Sequence, residues 1–259
     1  MKHPFLLVDA FVGDKALGNQ AGIVLLDGPG DAVWMQSVAA EINQAETAFL
    51  YSLGERWSLR WFTPAVEVDL CGHATLAATR ALSHWGRIGG EVEFETLSGV
   101  LKCSISSDGL ISMDFPSRVP MDGALHESLS GVSAGAVWTG ETPTFWMFEL
   151  PSVADLVALE PDYRRIGESG KVGIIATARG DAEDFVSRFF APQSGIDEDP
   201  VTGSAHCALA PYWSAKLGKN RMVGRQLSPR GGVVEVELSG DRVQLIGRCR
   251  IAVEGTLLV

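Results

Sequence analysis

Short apolar runs recur along most of the chain and predict a protein built largely from β-strands. Val33, Val38 and Ile42 instead recur at helical spacing. With Asp31, whose carboxylate suits an N-cap, they predict a helix from Asp31 to Ala45. The strands predicted in the first half are Leu6 to Phe11, Gly22 to Leu26, Thr47 to Tyr51, Val92 to Thr96, Leu101 to Ile105 and Ile111 to Phe115.

The second half carries the same kind of pattern. Ser152 precedes a short apolar stretch and predicts a helix from Val153 to Leu159. The strands predicted here are Val172 to Thr177, Val233 to Leu238, Arg242 to Ile246 and Ile251 to Val253. Strands therefore dominate both halves, with few helices between them.

An internal repeat organises the chain. The sequence Leu-Arg-Trp-Phe-Thr-Pro at 59–64 returns as Ser-Arg-Phe-Phe-Ala-Pro at 187–192, and each copy predicts a strand that a proline ends. Downstream, Gly72 and Gly203 each open a stretch of small residues that predicts a helix. The repeat predicts an α+β fold of two similar half-domains, each a curved mixed or antiparallel sheet wrapped around a central helix.

The length of the chain fits this division. Its 259 residues suffice for two units of about 100–150 residues each, and 46% hydrophobic residues can supply a core to both. We expect an N-terminal half-domain at 1–118 and a C-terminal half-domain at 119–259. The last strand is a candidate for crossing back to the first half.

Charge and hydrophobicity exclude several classes of protein. The formal net charge is −11 and Lys and Arg form no cluster, so we expect no nucleic-acid partner. The longest apolar runs have strand length, far below the ~20 residues of a membrane span, so no membrane partner is expected. The first residues meet Asp9 before a signal-peptide core can form, which predicts a cytoplasmic protein.

The cysteines indicate free thiols rather than a metal site. Cys71, Cys103, Cys207 and Cys249 form no Cys-x-x-Cys pair, and their spacing suits neither zinc nor an iron–sulfur cluster. The sequence also has no glycine-rich phosphate-binding motif. We therefore expect neither a metal nor a nucleotide cofactor.

The two predicted helix starts are the first candidates for chemistry. A helix N-terminus carries unsatisfied N–H groups and a positive dipole end, which together attract a carboxylate. If the two halves face one another, Gly72 and Gly203 bring two such starts to one cleft. His73 follows the first glycine and is a candidate for proton transfer near neutral pH.

Two carboxylates are further candidates. Glu46 stands between a predicted helix end and an apolar strand, where partial burial suits a general acid or base. Asp199 lies in an acidic loop before the second helix, and its place in the repeat assigns it to the cleft. His206, one turn into that helix, is expected to serve packing.

Several motifs then follow one another in a specific order. They are Asp9-Ala10-Phe11, Gly18-Asn19-x-Ala21, Glu46-Thr47-Ala48-Phe49, Arg60-Trp61-Phe62-Thr63-Pro64, Cys71-Gly72-His73-Ala74-Thr75 and Asp199-Pro200-Val201-Thr202-Gly203-Ser204-Ala205. Together they resemble the PhzF-like family, the phenazine-biosynthesis isomerases that share the diaminopimelate epimerase fold. The resemblance implies a two-half fold, an active site between the halves, no cofactor and a homodimer.

The resemblance also implies roles for individual residues. The family's phenazine-pathway member moves a proton on a dihydro-hydroxyanthranilate with a glutamate, which Glu46 matches here. His73 and Asp199 match further catalytic residues. The residues implied to bind a small carboxylate-bearing substrate are Asn19, Gly72, Gly203 and Ser204.

We therefore expect a cofactor-independent isomerase that moves a proton by general acid–base catalysis from Glu46 in the cleft. One alternative is an amino-acid racemase or epimerase that uses the Cys71 thiol. Related epimerases use two thiols, one from each half, and the position symmetric to Cys71 is Thr202, which disfavours this alternative. A second alternative is a non-catalytic binding protein of the same fold.

Overall fold

In the computed structural model, which describes residues 2–258, the chain divides into two units. Unit 1 contains the residues up to Asp114 and those from Ile246 onward, and unit 2 is Phe115–Leu245. The change of unit thus lies four residues before the boundary expected from the sequence. Met1 and Val259, the outer ends of the expected half-domains, lie outside the described residues.

Unit 1 begins with a strand-rich segment that holds two helices. Its elements are β1 (His3–Ala10), β2 (Asn19–Leu25), α1 (Ala32–Ile42), β3 (Glu46–Ser52), β4 (Trp57–Phe62), β5 (Glu67–Val68), α2 (Gly72–His84), β6 (Glu91–Thr96), β7 (Gly99–Ile105) and β8 (Ile111–Pro116).

Unit 2 follows, and the last strand returns to unit 1. The elements are β9 (Met121–Asp122), β10 (Trp138–Glu141), β11 (Phe145–Glu149), α3 (Val153–Val157), α4 (Tyr163–Gly167), β12 (Gly173–Arg179), β13 (Phe185–Phe190), α5 (Gly203–Leu217), β14 (Arg221–Gln226), β15 (Gly232–Ser239), β16 (Arg242–Gly247) and β17 (Cys249–Leu257). No helix within residues 2–258 is long and apolar enough to span a bilayer.

The strands of the two units pair in the same pattern. In unit 1, β2 is parallel to β3, β3 antiparallel to β4, and β4 parallel to β6. In unit 2, β11 is parallel to β12, β12 antiparallel to β13, and β13 parallel to β14. β17 pairs antiparallel with β1, which pairs antiparallel with β2 on its other edge. The α+β class, with mixed sheets, is as predicted.

One helix in each unit is buried almost all the way round, as a central helix must be. In α2, nine of the residues between His73 and Leu82 are buried, and the helix packs against β1, β2, β3 and β7. In α5, every residue from Ala205 to Ser214 is buried, and the helix packs against β14 and β15. These are the two helices predicted from the repeat, and they begin at Gly72 and Gly203.

Helix α1 is shorter than predicted, which determines where β3 begins. Asp31 is its N-cap as expected, but the helix ends at Ile42 rather than Ala45. Asn43 adopts a left-handed conformation with φ 51°, and its N–H bonds the carbonyl of Ala39. Because asparagine tolerates this conformation, it stops the helix three residues before Glu46.

Some elements of unit 2 were not predicted from the sequence. They include β10, β11, α4 and β14. β14 reads Arg-Met-Val-Gly-Arg-Gln, with two arginines and a glycine that obscure its apolar alternation. It forms because β13 pairs with one of its edges and β15 with the other. The pairing with β13, which lies before α5 in the chain, leaves no signal in the local sequence.

The repeated arginine makes equivalent contacts in the two units. Arg60 donates to both oxygens of Glu67, at 2.7 and 2.8 Å, and Arg188 does the same to Glu198, at 2.7 and 2.9 Å. Each guanidinium also lies over the phenylalanine two residues later in its strand. The repeat is therefore conserved between units at the level of side-chain contacts.

These two arginines give a matched test of burial. Arg188→Met should lower the free energy of unfolding by about 3 kcal/mol, because it strands a buried Glu198 and two carbonyls that Arg188 also bonds. Arg60→Met should cost only about 1 kcal/mol, because its pair is more exposed. Urea denaturation measures both values, and equal costs would show that burial does not govern these pairs.

Candidate active site

A largely buried imidazole–carboxylate pair joins β3 and α2 in unit 1. Glu46 is the first residue of β3, and His73 is the second residue of α2. His73 Nε2 and Glu46 Oε2 lie 3.1 Å apart, and the two side chains are only 6% and 12% exposed. Neither atom has a hydrogen-bonding partner among the described residues, so the contact between them is an ion-pair contact. The two groups therefore depend on each other.

The other ring nitrogen of His73 faces a second pair of groups. Asn19 Nδ2 lies 3.2 Å from His73 Nδ1, and Cys71 Sγ lies 3.5 Å from the same nitrogen. Asn19 and Cys71 are both buried. The imidazole thus lies between a carboxylate on one side and an amide and a thiol on the other.

These neighbours set the proton affinities in the cluster. Burial alone would lower the pKa of His73, but Cys71 and Glu46 outweigh it and raise that pKa well above its ordinary value. Burial, and next the Glu46 carboxylate, raise the pKa of the Cys71 thiol. Both groups therefore bind a proton more tightly than they would in water, and Cys71 raises the pKa of His73 only to the extent that its thiol has ionised.

The same three side chains also form a donor set of the kind that metals bind. One ligand atom from each of Glu46, Cys71 and His73 lies within 4.8 Å of the others. A carboxylate, a thiolate and an imidazole suit zinc and similar ions. Cys71 approaches the ring at Nδ1, 3.5 Å away, and Glu46 approaches it at Nε2, 3.1 Å away. Each nitrogen of the imidazole thus faces a group that can give or take a proton, an arrangement that suits proton transfer.

In unit 2, the loop before α5 is held by a buried polar network. Asp199 is 8% exposed and accepts a hydrogen bond from the Thr202 hydroxyl. Gln226, fully buried at the end of β14, accepts from the Thr202 N–H at 2.9 Å and donates to the Asp199 carbonyl at 2.6 Å. Gln226, which the sequence does not mark as a site residue, therefore fixes the backbone on both sides of this loop.

The two central helices differ from the other helices at their N-termini. Side-chain oxygens cap the other three: Asp31 caps α1, Ser152 caps α3 and Asp162 caps α4. The N-cap residues of α2 and α5 are Cys71 and Thr202, and no side-chain oxygen caps either helix. The first N–H groups of both helices thus lack the usual internal acceptor.

Comparison with known proteins gives the family. Residues 8–256 match the family model described as phenazine biosynthesis-like protein. An uncharacterized isomerase from Halalkalibacterium halodurans is 40% identical over 265 residues, which cover 100% of each chain. The chain belongs to the phenazine biosynthesis-like family.

Solved structures confirm the fold of this family member. A PhzF-family phenazine biosynthesis protein from Enterococcus faecalis is 33% identical, with a TM-score of 0.94 and 100% of each chain covered. A hydroxyproline epimerase from Agrobacterium vitis shares the fold at 14% identity and a TM-score of 0.66, over 99% of this chain and 92% of that chain. The predicted family and the epimerase-like fold class are both confirmed.

The structure brings together part of the predicted site. Glu46, His73 and Asn19 form one cluster of unit 1, with Gly72 beside them in the chain. The catalytic and substrate-binding roles expected for all seven site residues, and the shared cleft, stay predictions. The candidates that lie in unit 2 are Asp199, Gly203 and Ser204.

The cluster was only partly visible in the sequence. Glu46 was predicted as a candidate base, but its contact with His73 joins residues 27 positions apart in the chain. Asn19 was assigned to the substrate, whereas its amide lies against His73. The sequence presents Cys71 only as a candidate thiol base, whereas the structure adds its contact with the imidazole. Contacts between distant elements leave no periodic signal in a sequence.

His206 of α5 is buried, in agreement with the packing role expected for it. It is 0% exposed, and its Nδ1 lies 2.9 Å from the Thr202 carbonyl. Nδ1 must therefore carry the proton of the neutral ring. Nε2 is buried and has no hydrogen-bonding partner among the described residues. Burial lowers the pKa of His206 to about 4.

We predict that His206 makes the protein sensitive to acid. Unfolded His206 takes up a proton below about pH 6.5, whereas folded His206 stays neutral down to about pH 4. Its contribution to stability is therefore full above pH 6.5 and is lost as the pH falls toward 4. The loss should reach ~3 kcal/mol.

Urea denaturation at pH 7, 5.5 and 4.5 measures this effect. His206→Leu should be less stable than the wild type at pH 7, where the Thr202 carbonyl loses its donor, but should show a flatter pH dependence. His126→Leu, at an exposed histidine, should keep the wild-type slope. An unchanged slope in His206→Leu would contradict the prediction.

Proposed function

We propose that this member of the family is a cofactor-independent isomerase that moves a proton on a small carboxylate-bearing substrate, with Glu46 as the proton carrier. The observation that carries the proposal is the buried contact of 3.1 Å between Glu46 and His73. Relatives named as isomerases support the reaction class.

The proposed reaction moves one proton and one electron pair within the substrate. The Glu46 carboxylate takes a proton from an activated carbon, and the electron pair of the broken C–H bond shifts along the conjugated system. The protonated Glu46 then delivers the proton to another carbon of that system. Because proton and electrons return to the same molecule, no cofactor or co-reactant is required.

The neighbouring groups support this transfer. The proton affinity of His73 is high, so its imidazolium offsets the negative charge of Glu46 and of the developing carbanion. We assign the substrate carboxylate to the N–H groups at the start of α2, where Gly72 and His73 adjoin the cluster. The start of α5, at Gly203 and Ser204, and the Asp199 carboxylate are assigned to the same substrate on the evidence of the sequence repeat.

The rival proposal is an epimerase or racemase in which Cys71 removes the proton. The thiol lies beside His73, which favours it. However, burial and the Glu46 charge keep the thiol protonated, and a protonated thiol cannot act as a base. At the symmetric N-cap position, Thr202 donates its hydroxyl proton to Asp199. Glu46 is therefore the better carrier.

We predict that Glu46→Gln lowers turnover at least ~100-fold with the fold intact, because glutamine keeps the size of the side chain but cannot take up a proton. Cys71→Ser should stay within about tenfold of the wild type, and so should Cys207→Ser, which controls for loss of a buried thiol elsewhere.

Deuterium incorporation from D₂O, followed by ¹H NMR, measures this transfer for each variant. The panel consists of small unsaturated carboxylates and includes a dihydro-hydroxyanthranilate. Loss of exchange in Cys71→Ser, with exchange retained in Glu46→Gln, would establish the thiol reaction instead. If the wild type binds these compounds and exchanges no proton, the non-catalytic alternative holds.

A separate prediction concerns the uncapped helix starts. Gly72→Val and Gly203→Val should each weaken benzoate binding at least tenfold, because a branched side chain obstructs the N–H groups that would hold the carboxylate. Ala32→Val is the matched control, since Ala32 is the first residue of the capped helix α1. Ligand-observed NMR measures the affinity, and unchanged binding in both glycine variants would contradict the assignment.

A further inference from the structure

The turn that leads into β2 is under backbone strain. Ala10 and Asn19 are the last paired residues of β1 and β2, and the turn between them contains two left-handed residues. Phe11 has φ 60° although it is a large, fully buried side chain. Gly18 has φ 76°, and a Cβ there would lie 2.2 Å from the Ala10 carbonyl oxygen. Glycine adopts such a conformation freely, but a residue like Phe11 keeps it only where the surrounding structure enforces it.

Packing against Gly247 of β16 supplies that enforcement. A Cβ at Gly247 would lie 2.5 Å from the Phe11 ring and 3.3 Å from Leu76, so Phe11 fills a space that only glycine leaves open. Leu76 belongs to α2, the helix that carries His73. Phe11 and Leu76 thus lie on the same glycine, Gly247, and the residue after Gly18 contacts the helix to which Leu76 belongs.

That residue is Asn19. Its side chain is 1% exposed, and its amide nitrogen lies 3.2 Å from His73 Nδ1. A carboxamide offers a donor at one end and an acceptor at the other. When His73 is neutral at Nδ1, the amide N–H donates to it. When His73 is protonated at Nδ1, the carboxamide of Asn19 rotates by half a turn, and its oxygen accepts the hydrogen bond from the Nδ1–H group.

We propose that Asn19 is a positioning residue that keeps Nδ1 of His73 hydrogen-bonded in both protonation states, and so lets the imidazole gain or lose a proton at little cost. This inference rests on the proposed function, in which His73 and Glu46 act as a pair. It changes the expected role of Asn19 from binding the substrate to holding the imidazole.

The charged and titratable groups around His73 make this role specific. Glu46 faces Nε2 from β3, and Cys71 faces Nδ1 from the start of α2. On the other elements packed against α2, Asp9 of β1 bonds Arg250 of β17, and Cys103 of β7 lies against Thr79. Asn19 is the residue on β2 that contacts the ring, and its uncharged amide can bond Nδ1 in either protonation state, more strongly when the ring is charged.

Two variants of similar shape separate this role from simple packing. Asn19→Asp places an acceptor at Nδ1, which stabilises the imidazolium and should strengthen proton binding by His73 at least tenfold. Asn19→Leu removes the hydrogen bond and should weaken proton binding at least tenfold. ¹⁵N NMR of the histidine ring, titrated with pH, measures both shifts and reports which nitrogen holds the proton. No substrate is needed.

Asn220→Asp is the control, because it makes the same change of charge at an exposed asparagine of unit 2. It should leave His73 unchanged. If both Asn19 variants fold and titrate His73 as the wild type does, Asn19 only fills space and the inference fails. Loss of activity in Glu46→Gln tests the proposed function separately, so either can fail while the other stands.

Discussion

The structure of unit 1 depends on the burial of one imidazole–carboxylate pair. Glu46 and His73 lie 3.1 Å apart with little access to solvent. Burying either charge alone is costly, because a protein interior replaces the hydration of an ion only when a partner of opposite charge is in place. The pair forms because of the positions at which β3 and α2 begin. Helix α1 stops at Asn43 so that β3 begins at Glu46, and α2 begins immediately before His73.

The two units show how a duplicated scaffold carries different chemistry. Thr75 in α2 and His206 in α5 stand four residues after their N-cap residues, and each donates to the N-cap carbonyl. The N-cap itself is Cys71 in one unit and Thr202 in the other. The thiol contacts an imidazole, while the hydroxyl contacts a carboxylate. The strand pattern and helix starts are thus shared, whereas the proton-carrying pair belongs to unit 1.

Much of this fold could be predicted from the sequence because it rests on local signals. The caps at Asp31 and Ser152 were visible in the sequence, and the repeat predicted both central helices and their first residues. The end of α1 was predicted at Ala45 rather than Ile42. A single left-handed asparagine, Asn43, stops the helix, and the spacing of apolar residues does not show this. Periodicity reports which face of an element is buried. It does not report which side chains of distant elements meet, and so the contacts of Asn19 and Gln226 were missed.

The central claim is that Glu46 and His73 form one coupled pair that holds and releases a proton. A ¹⁵N NMR titration of His73 in the wild type and in Glu46→Gln tests it most directly. Removal of the Glu46 charge should lower the pKa of His73 by at least about one unit. Burial lowers this pKa, and the Glu46 charge that counteracts burial is then gone. Glu254→Gln removes an equally close but exposed carboxylate beside His84 and should leave His73 unchanged. A His73 pKa that is the same in the wild type and Glu46→Gln would contradict the account.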